Sequence, residues 1–263
     1  MMRIAAITLA ILAMTGPAMS ETVQLYAAGS LRGALTDVAK AYEAASGNKV
    51  EAKWGASGLL KNEIAAGAET DVFASANMEH PQALHDAGKS APAVLFTRNK
   101  LCALVKPGLK VTSANLLEQM LDPTVKLGSS TPKADPSGDY AFEVFAKAET
   151  LKPGARSALE TKALLLVGAA DSAVPPAGRT AYAWHIAEGR ADIFLTYCTN
   201  AMAAQKEAPG QQIVALPEKL SVGAEYGLTV MNGASPAAQA FAQFIVSPGG
   251  QKILIGHGFA AVK

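Results

Sequence analysis

The chain has 263 residues, half of them hydrophobic, with 23 Lys+Arg against 22 Asp+Glu and a formal net charge of +1. That length supports one large domain or two lobes of ordinary size. No basic excess points to nucleic acid, and no block of charge marks a tail.

The first segment reads as a targeting signal. Arg3 precedes an apolar run from Ile4 to Met14, then Thr15-Gly16-Pro17 and the small-residue stretch Ala18-Met19-Ser20. The run is too short to span a bilayer, so residues 1–20 are expected to be a signal peptide that directs the chain to the periplasm. Its loss removes Arg3 and leaves 243 residues with balanced charge. If the protein binds an anion, local dipoles must attract it, because net charge does not.

Val23-Gln24-Leu25-Tyr26 reads as a strand running into Ala27-Ala28-Gly29-Ser30, with a helix opening at Leu31. Apolar residues at Leu31, Ala34, Leu35, Val38, Ala41 and Tyr42 give that helix one buried stripe, and Ser46-Gly47-Asn48 ends it. The event repeats. Val50-Glu51-Ala52-Lys53 leads into Gly55-Ala56-Ser57-Gly58 and a second helix from about Leu59 to Ala66. Ser30 and Ser57 each read singly as an ordinary N-cap. Together, at strand ends of consecutive units, they read as hydroxyls and N–H groups aimed at one spot, a way to hold an anion without a cation.

Asp71-Val72-Phe73-Ala74 predicts a third strand and Met78 to Ala87 a third helix. Leu101-Cys102-Ala103-Leu104-Val105 then reads as a strand crossing to a second lobe, where Val125-Lys126-Leu127 starts a new series. Gly128-Ser129-Ser130 follows, and Asp135-Pro136-Ser137-Gly138 leads to a helix over Tyr140–Ala148. Ser137 is either a second-lobe anion donor or a capping serine in a surface loop. Gly178, in Ala177-Gly178-Arg179-Thr180, would let backbone approach a ligand. Tyr197 is either a phenolic donor or a buried structural residue.

An internal echo supports two similar lobes. Glu63-Ile64-Ala65-Ala66-Gly67 leads to Asp71-Val72-Phe73-Ala74-Ser75, and His185-Ile186-Ala187-Glu188-Gly189 leads to Asp192-Ile193-Phe194-Leu195-Thr196. Tyr226–Met231 predicts a return crossing strand, and Ser235-Pro236 and Ser247-Pro248 two helix starts. The expected lobes are 21–98 plus 229–263, and 99–228. The alternation of strands and helices predicts an α/β fold, each lobe a mostly parallel sheet covered by helices, with a two-strand hinge. Cys102 and Cys198 are either a disulfide, as an oxidising compartment favours, or two buried thiols. The four histidines show no metal-ligand spacing with them.

An enzymatic reading rests on Ser130-Thr131-Pro132-Lys133, which matches the Ser-x-x-Lys core of serine acyltransferases. It would make the chain an exported hydrolase using Ser130 and Lys133. No Lys-Thr-Gly or Ser-Asp-Asn partner accompanies it.

Ala27-Ala28-Gly29-Ser30-Leu31, Gly55-Ala56-Ser57-Gly58, Ile64-Ala65-Ala66-Gly67-Ala68 and Asp71-Val72-Phe73-Ala74-Ser75-Ala76 resemble the molybdate-binding proteins of ABC uptake systems. The likeness covers essentially the whole chain after residue 20 and returns at Asp192–Ala201, Tyr226–Met231 and Gly256-His257-Gly258-Phe259. It implies a periplasmic binding protein of the type II fold, no catalysis, and delivery of molybdate or tungstate to a membrane permease. By resemblance, Ser30 and Ser57 are the first-lobe ligands, Ser137 and Gly178 offer backbone N–H groups, and Tyr197 is the family tyrosine. Any metal is reached only through the oxyanion's oxygens, by Ser30, Ser57 and Tyr197. No other cofactor is implied, and a monomer is expected. The loop from Ser129 to Ser137 is longer than the family's, and Cys198 and Asn200 stand where members carry Gly or Ser and Asp.

Molybdate, tungstate and sulfate are proton-free near neutral pH and only accept hydrogen bonds, so a set of Ser, Tyr and N–H donors suits them. Phosphate carries a proton and needs an acceptor. No carboxylate stands in the serine turns, though Asp135 and Asp139 lie near Ser137. Sulfate has the same charge and shape as molybdate, so a sulfate-binding or other small-anion protein is the alternative.

Overall fold

A computed structural model describes residues 20–262. The expected signal peptide lies outside them, apart from Ser20. In chain order the elements begin β1 (Thr22–Ala28), α1 (Arg32–Ser46), β2 (Lys49–Gly55), α2 (Ser57–Ala65), β3 (Val72–Ser75), α3 (Glu79–Asp86) and β4 (Val94–Val105). Next come α4 (Leu116–Leu121), β5 (Leu127–Ser130), α5 (Pro136–Leu151), α6 (Ala155–Lys162), β6 (Leu164–Val167), α7 (Ala181–Ala187) and β7 (Ile193–Tyr197). The chain closes with α8 (Cys198–Glu207), β8 (Gln212–Ala215), β9 (Gly223–Val230), α9 (Pro236–Val246) and α10 (Pro248–Gly256).

The strands run in the order β2-β1-β3-β9-β4-β7-β5-β6, with β8 on the other side of β4. Pairing is parallel among β2, β1 and β3 and among β6, β5 and β7, as the alternation predicts. Every pair involving β4 or β9 is antiparallel. β4 is longer than its predicted five residues. Its first part, Val94–Lys100, pairs with β9, and Leu101–Val105 pairs with β7 and β8. One strand therefore serves both halves of the sheet. Among the described residues, β9 pairs only with β3 and the first part of β4.

Apolar stripes bury the helices against these strands. Ala34, Leu35, Val38 and Tyr42 of α1 pack over β1, whose Val23, Leu25 and Ala27 are fully buried. Gly47, at φ +77°, ends α1 in the left-handed conformation that glycine tolerates best. Both Ser-Pro starts behave as predicted. Ser235 accepts from the Ala238 N–H and Ser247 from the Gly250 N–H, each with proline at the first helical position.

The echo is structural as well as sequential. Asp71 accepts the Gln24 N–H through Oδ2 at 2.8 Å and returns its own N–H to the Gln24 carbonyl at 2.9 Å. Asp192 does the same with Lys126, at 2.8 Å in both directions. Each aspartate thus ties the start of one parallel strand to its neighbour. The helix before each strand ends at a glycine of positive φ, Gly67 or Gly189.

The helix predicted over Tyr140–Ala148 is longer at both ends. Asp135 accepts the Ser137 N–H and Pro136 presets the first turn, so α5 starts four residues earlier than the apolar stripe alone indicates.

Candidate functional site

A cavity of about 670 Å³ opens where the β1–α1 and β2–α2 turns face β7, the start of α5 and the segment before α7. At roughly 30 Å³ per water it holds about twenty waters, so a small anion would fill only its deep end.

Ser30 lies in a short 3-10 turn between β1 and α1, half-buried. It does not cap α1, whose N-cap is Leu31 without a side-chain bond. Its Oγ is 3.0 Å from Tyr226 Oη, which accepts from Asn99 Nδ2 at 3.3 Å. Tyr226 can then spend its own proton on Ser30, and the Ser30 hydrogen stays free to donate. Ser57 does not cap α2 either. It is the first helical residue, and its Oγ accepts the Ala76 N–H at 3.1 Å. That bond also leaves the hydroxyl hydrogen unspent. The N-cap alternative therefore fails for both serines.

Tyr197 ends β7 and reaches across to the same residue. Its Oη donates to the Ala76 carbonyl at 3.3 Å. Its ring centroid is 5.4 Å from that of Tyr226. Burial pushes the Tyr197 phenol well above its usual range, with the nearby Tyr226 and Asp135 adding to the shift, so it stays protonated and keeps its hydrogen on Ala76 until a stronger acceptor takes it. Ser30, Ser57 and Tyr197 all line the cavity.

Gly178 also lines it, on the opposite wall. It is exposed at φ +80°, in a turn where the Arg179 N–H donates to the Pro176 carbonyl. A side chain would be strained there. Ser137 is not brought to the cavity wall. It is fully buried, its N–H goes to Asp135 Oδ1 at 3.0 Å, and its Oγ has no partner. Ser130 Oγ and Thr131 Oγ1, just before it, are also buried without partners.

The Ser130–Lys133 pair does not sit at a helix start. Ser130 ends β5, and Lys133 is exposed in a left-handed turn at φ +67° with its N–H on Asp139.

Of two charged residues in the lining, the sequence reading notes Asp135 only as a carboxylate near Ser137 and gives Arg32 no role. Arg32, the first residue of α1, lies at the rim with its guanidinium 5.9 Å from the centre of the Trp54 ring. Asp135 lines the deep side. It keeps partial access through the cavity, yet the protein packed around it pushes its carboxyl up to about 6. The Asp-Pro pair before α5, an N-cap followed by a first-turn proline, was the signal for it. Arg179 is held by Glu207 at 2.7 Å, and His257 bonds Asp37 at 2.9 Å.

Cys102 and Cys198 are joined by a disulfide, with Cα atoms 4.8 Å apart. Cys198 immediately follows Tyr197 and opens α8. Among the described residues, no helix is long and apolar enough to cross a membrane.

The profile of the bacterial extracellular solute-binding proteins matches residues 23–260. An uncharacterised protein of Pasteurella multocida is 33% identical over 90% of this chain and 98% of its own length. The molybdate-binding protein ModA of Escherichia coli is 24% identical over 94% of this chain and 93% of its own. Among solved structures, the periplasmic molybdate-binding protein of Azotobacter vinelandii superposes with a TM-score of 0.74 at 20% identity, covering 92% of this chain and 100% of that one. The sulfate-binding protein SubI of Mycobacterium tuberculosis superposes with the same TM-score and identity over 92% of this chain and 88% of that one. These likenesses show the α/β fold of type II binding proteins.

Proposed function

The chain belongs to the bacterial extracellular solute-binding proteins, and on that premise we propose that its cleft captures a tetrahedral oxyanion, molybdate or tungstate, for an ABC permease. Membership of the family implies a small solute as cargo and an extracytoplasmic location. The relatives that bind molybdate support the finer choice of ligand.

One observation carries the reading. Ser57 and Tyr197, from opposite walls, both bond the backbone of Ala76. Ser30 joins them through Tyr226. Each serine oxygen already has an acceptor role or can take one, so each hydroxyl hydrogen is available to an anion. Charge-assisted bonds of this kind contribute roughly 1.5–3 kcal/mol each. A ligand that touches both walls also stabilises their approach by its differential affinity. Gly178 would add a backbone N–H. Ser137 would contribute through its N–H only if Asp135 released it.

Calorimetric titration with molybdate, tungstate, sulfate and phosphate tests the proposal. Molybdate and tungstate should bind, and the double variant Ser30→Ala plus Ser57→Ala should lose at least a hundredfold in affinity. Heat with phosphate alone would overturn the ligand assignment, and undiminished affinity in the variant would overturn the site. The second reading, a sulfate carrier, is favoured by the likeness to SubI. It predicts sulfate as the tightest of the four.

A further inference from the structure

Asp135 does not belong to a clamp made of donors alone. It lines the cavity, and Oδ1 accepts the Ser137 N–H at the start of α5. The carboxylate thus occupies the helix N-terminus that would otherwise serve an incoming anion. Gly168 packs against it so tightly that a Cβ there would lie 2.5 Å from Asp135 Cβ and 3.2 Å from Oδ2. Among the described residues Asp135 forms no ion pair.

The groups packed around it supply no neutralising cation. Asp139, on the same helix, carries like charge. Tyr182 of α7, Tyr197 of β7 and Tyr226 of β9 are each close enough for the Asp135 charge to push their phenols up. Arg179, the cation on that wall, is engaged by Glu207. Arg32 stands at the rim, stacked over Trp54. A dianion settling on Ser30, Ser57 and Tyr197 therefore meets a carboxylate inside the same cavity.

We propose that the cleft captures its oxyanion together with one proton, held between the anion and the Asp135 carboxyl. This deepens the oxyanion reading and rests on it. A proton-free dianion draws the proton from solvent onto Asp135. The carboxyl then donates its O–H to an oxygen of the anion, while its other oxygen keeps the Ser137 N–H. The total charge in the cavity falls by one, and repulsion becomes a hydrogen bond. A second negative charge beside a carboxyl whose burial already favours the neutral form moves it further that way. An oxyanion that carries its own proton finds an acceptor ready, so Asp135 widens the ligand class to hydrogen-bearing oxyanions.

The test is calorimetry of the chain from Glu21 onward with molybdate and with sulfate. Titrations at pH 7.5 in two buffers of different ionisation enthalpy count the protons. Asparagine caps helices as well as aspartate, so Asp135→Asn keeps the Ser137 bond. Wild type should take up close to one proton per anion, and its affinity should rise about tenfold from pH 8 to pH 7. The variant should take up none, show a flat profile, and bind at least tenfold tighter than wild type at pH 8. Binding by wild type without proton uptake, or an equal pH slope in the variant, would overturn the coupling and leave oxyanion binding standing. Failure of both anions to bind either protein would overturn both readings. If the variant does not fold, the wild-type proton count decides alone.

Discussion

The Gly58 N–H donates to the carbonyl of Ala134 at 2.9 Å, joining the first turn of α2 to the turn before α5, next to Ser57 and Asp135 of the cavity lining. A Cβ on Gly58 would lie 2.2 Å from the Lys133 carbonyl oxygen and 2.7 Å from that of Ala134. Both obstacles are backbone and cannot rotate away. Gly58→Ala should therefore prop the walls apart. The expected outcome is at least a tenfold loss of oxyanion affinity in calorimetry, with little change in the thermal midpoint.

Ser57→Ala has a different signature. The Ala76 N–H is buried, and Ser57 Oγ is its acceptor. Removing the hydroxyl leaves that donor unsatisfied, at a cost of about 1–3 kcal/mol. In a chain of this size the thermal midpoint of the ligand-free protein should fall by roughly 3–10 °C. Differential scanning calorimetry of the variant checks this, and an unchanged midpoint would count against the bond.

The disulfide closes a separation of 96 residues. Replacing Cys102 and Cys198 by serine should cost about 2–4 kcal/mol of stability. Because Cys198 adjoins Tyr197, the same double variant should also bind oxyanion several-fold more weakly. Urea unfolding and calorimetry of wild type with and without reductant measure the two effects separately.

Asp135 gives the ligand-free protein a pH dependence of its own. Its folded carboxyl, at about 6, lies above the unfolded value near 4. Between those values the folded chain holds a proton that the unfolded chain has released. This contribution is fully present below about pH 4 and is lost as pH rises through 6. The gap in stability between Asp135→Asn and wild type should therefore widen in favour of the variant from pH 4 to pH 7. Denaturant titrations of both at each pH test the sign.

The strand-to-turn-to-helix units were legible because small residues, apolar periodicity and glycine stops agree over Leu25–Ala76. The Asp71 and Asp192 echo was legible for the same reason, and its meaning is a pair of matching strand ties. Asp135 was legible only as a carboxylate near Ser137, because its role depends on what packs over it. Residues as distant in sequence as Gly168 and Tyr226 create its environment. Arg32 belongs to no motif, so nothing local marked it as part of the lining. The bonds made by Ser30 and Ser57 depend on Tyr226 and Ala76, so no local pattern could distinguish a cap from a free hydroxyl.

β4 passes through both halves of the sheet without a break, and Cys102 is fastened within it. A one-residue slip of this strand would displace it by about 3.3 Å and turn every side chain to the opposite face. It would pull Asn99 from Tyr226 in the same movement that strained the bond to Cys198. The disulfide therefore opposes such a slip, and with it any shift of Asn99 away from the hydroxyl pair that ends at Ser30.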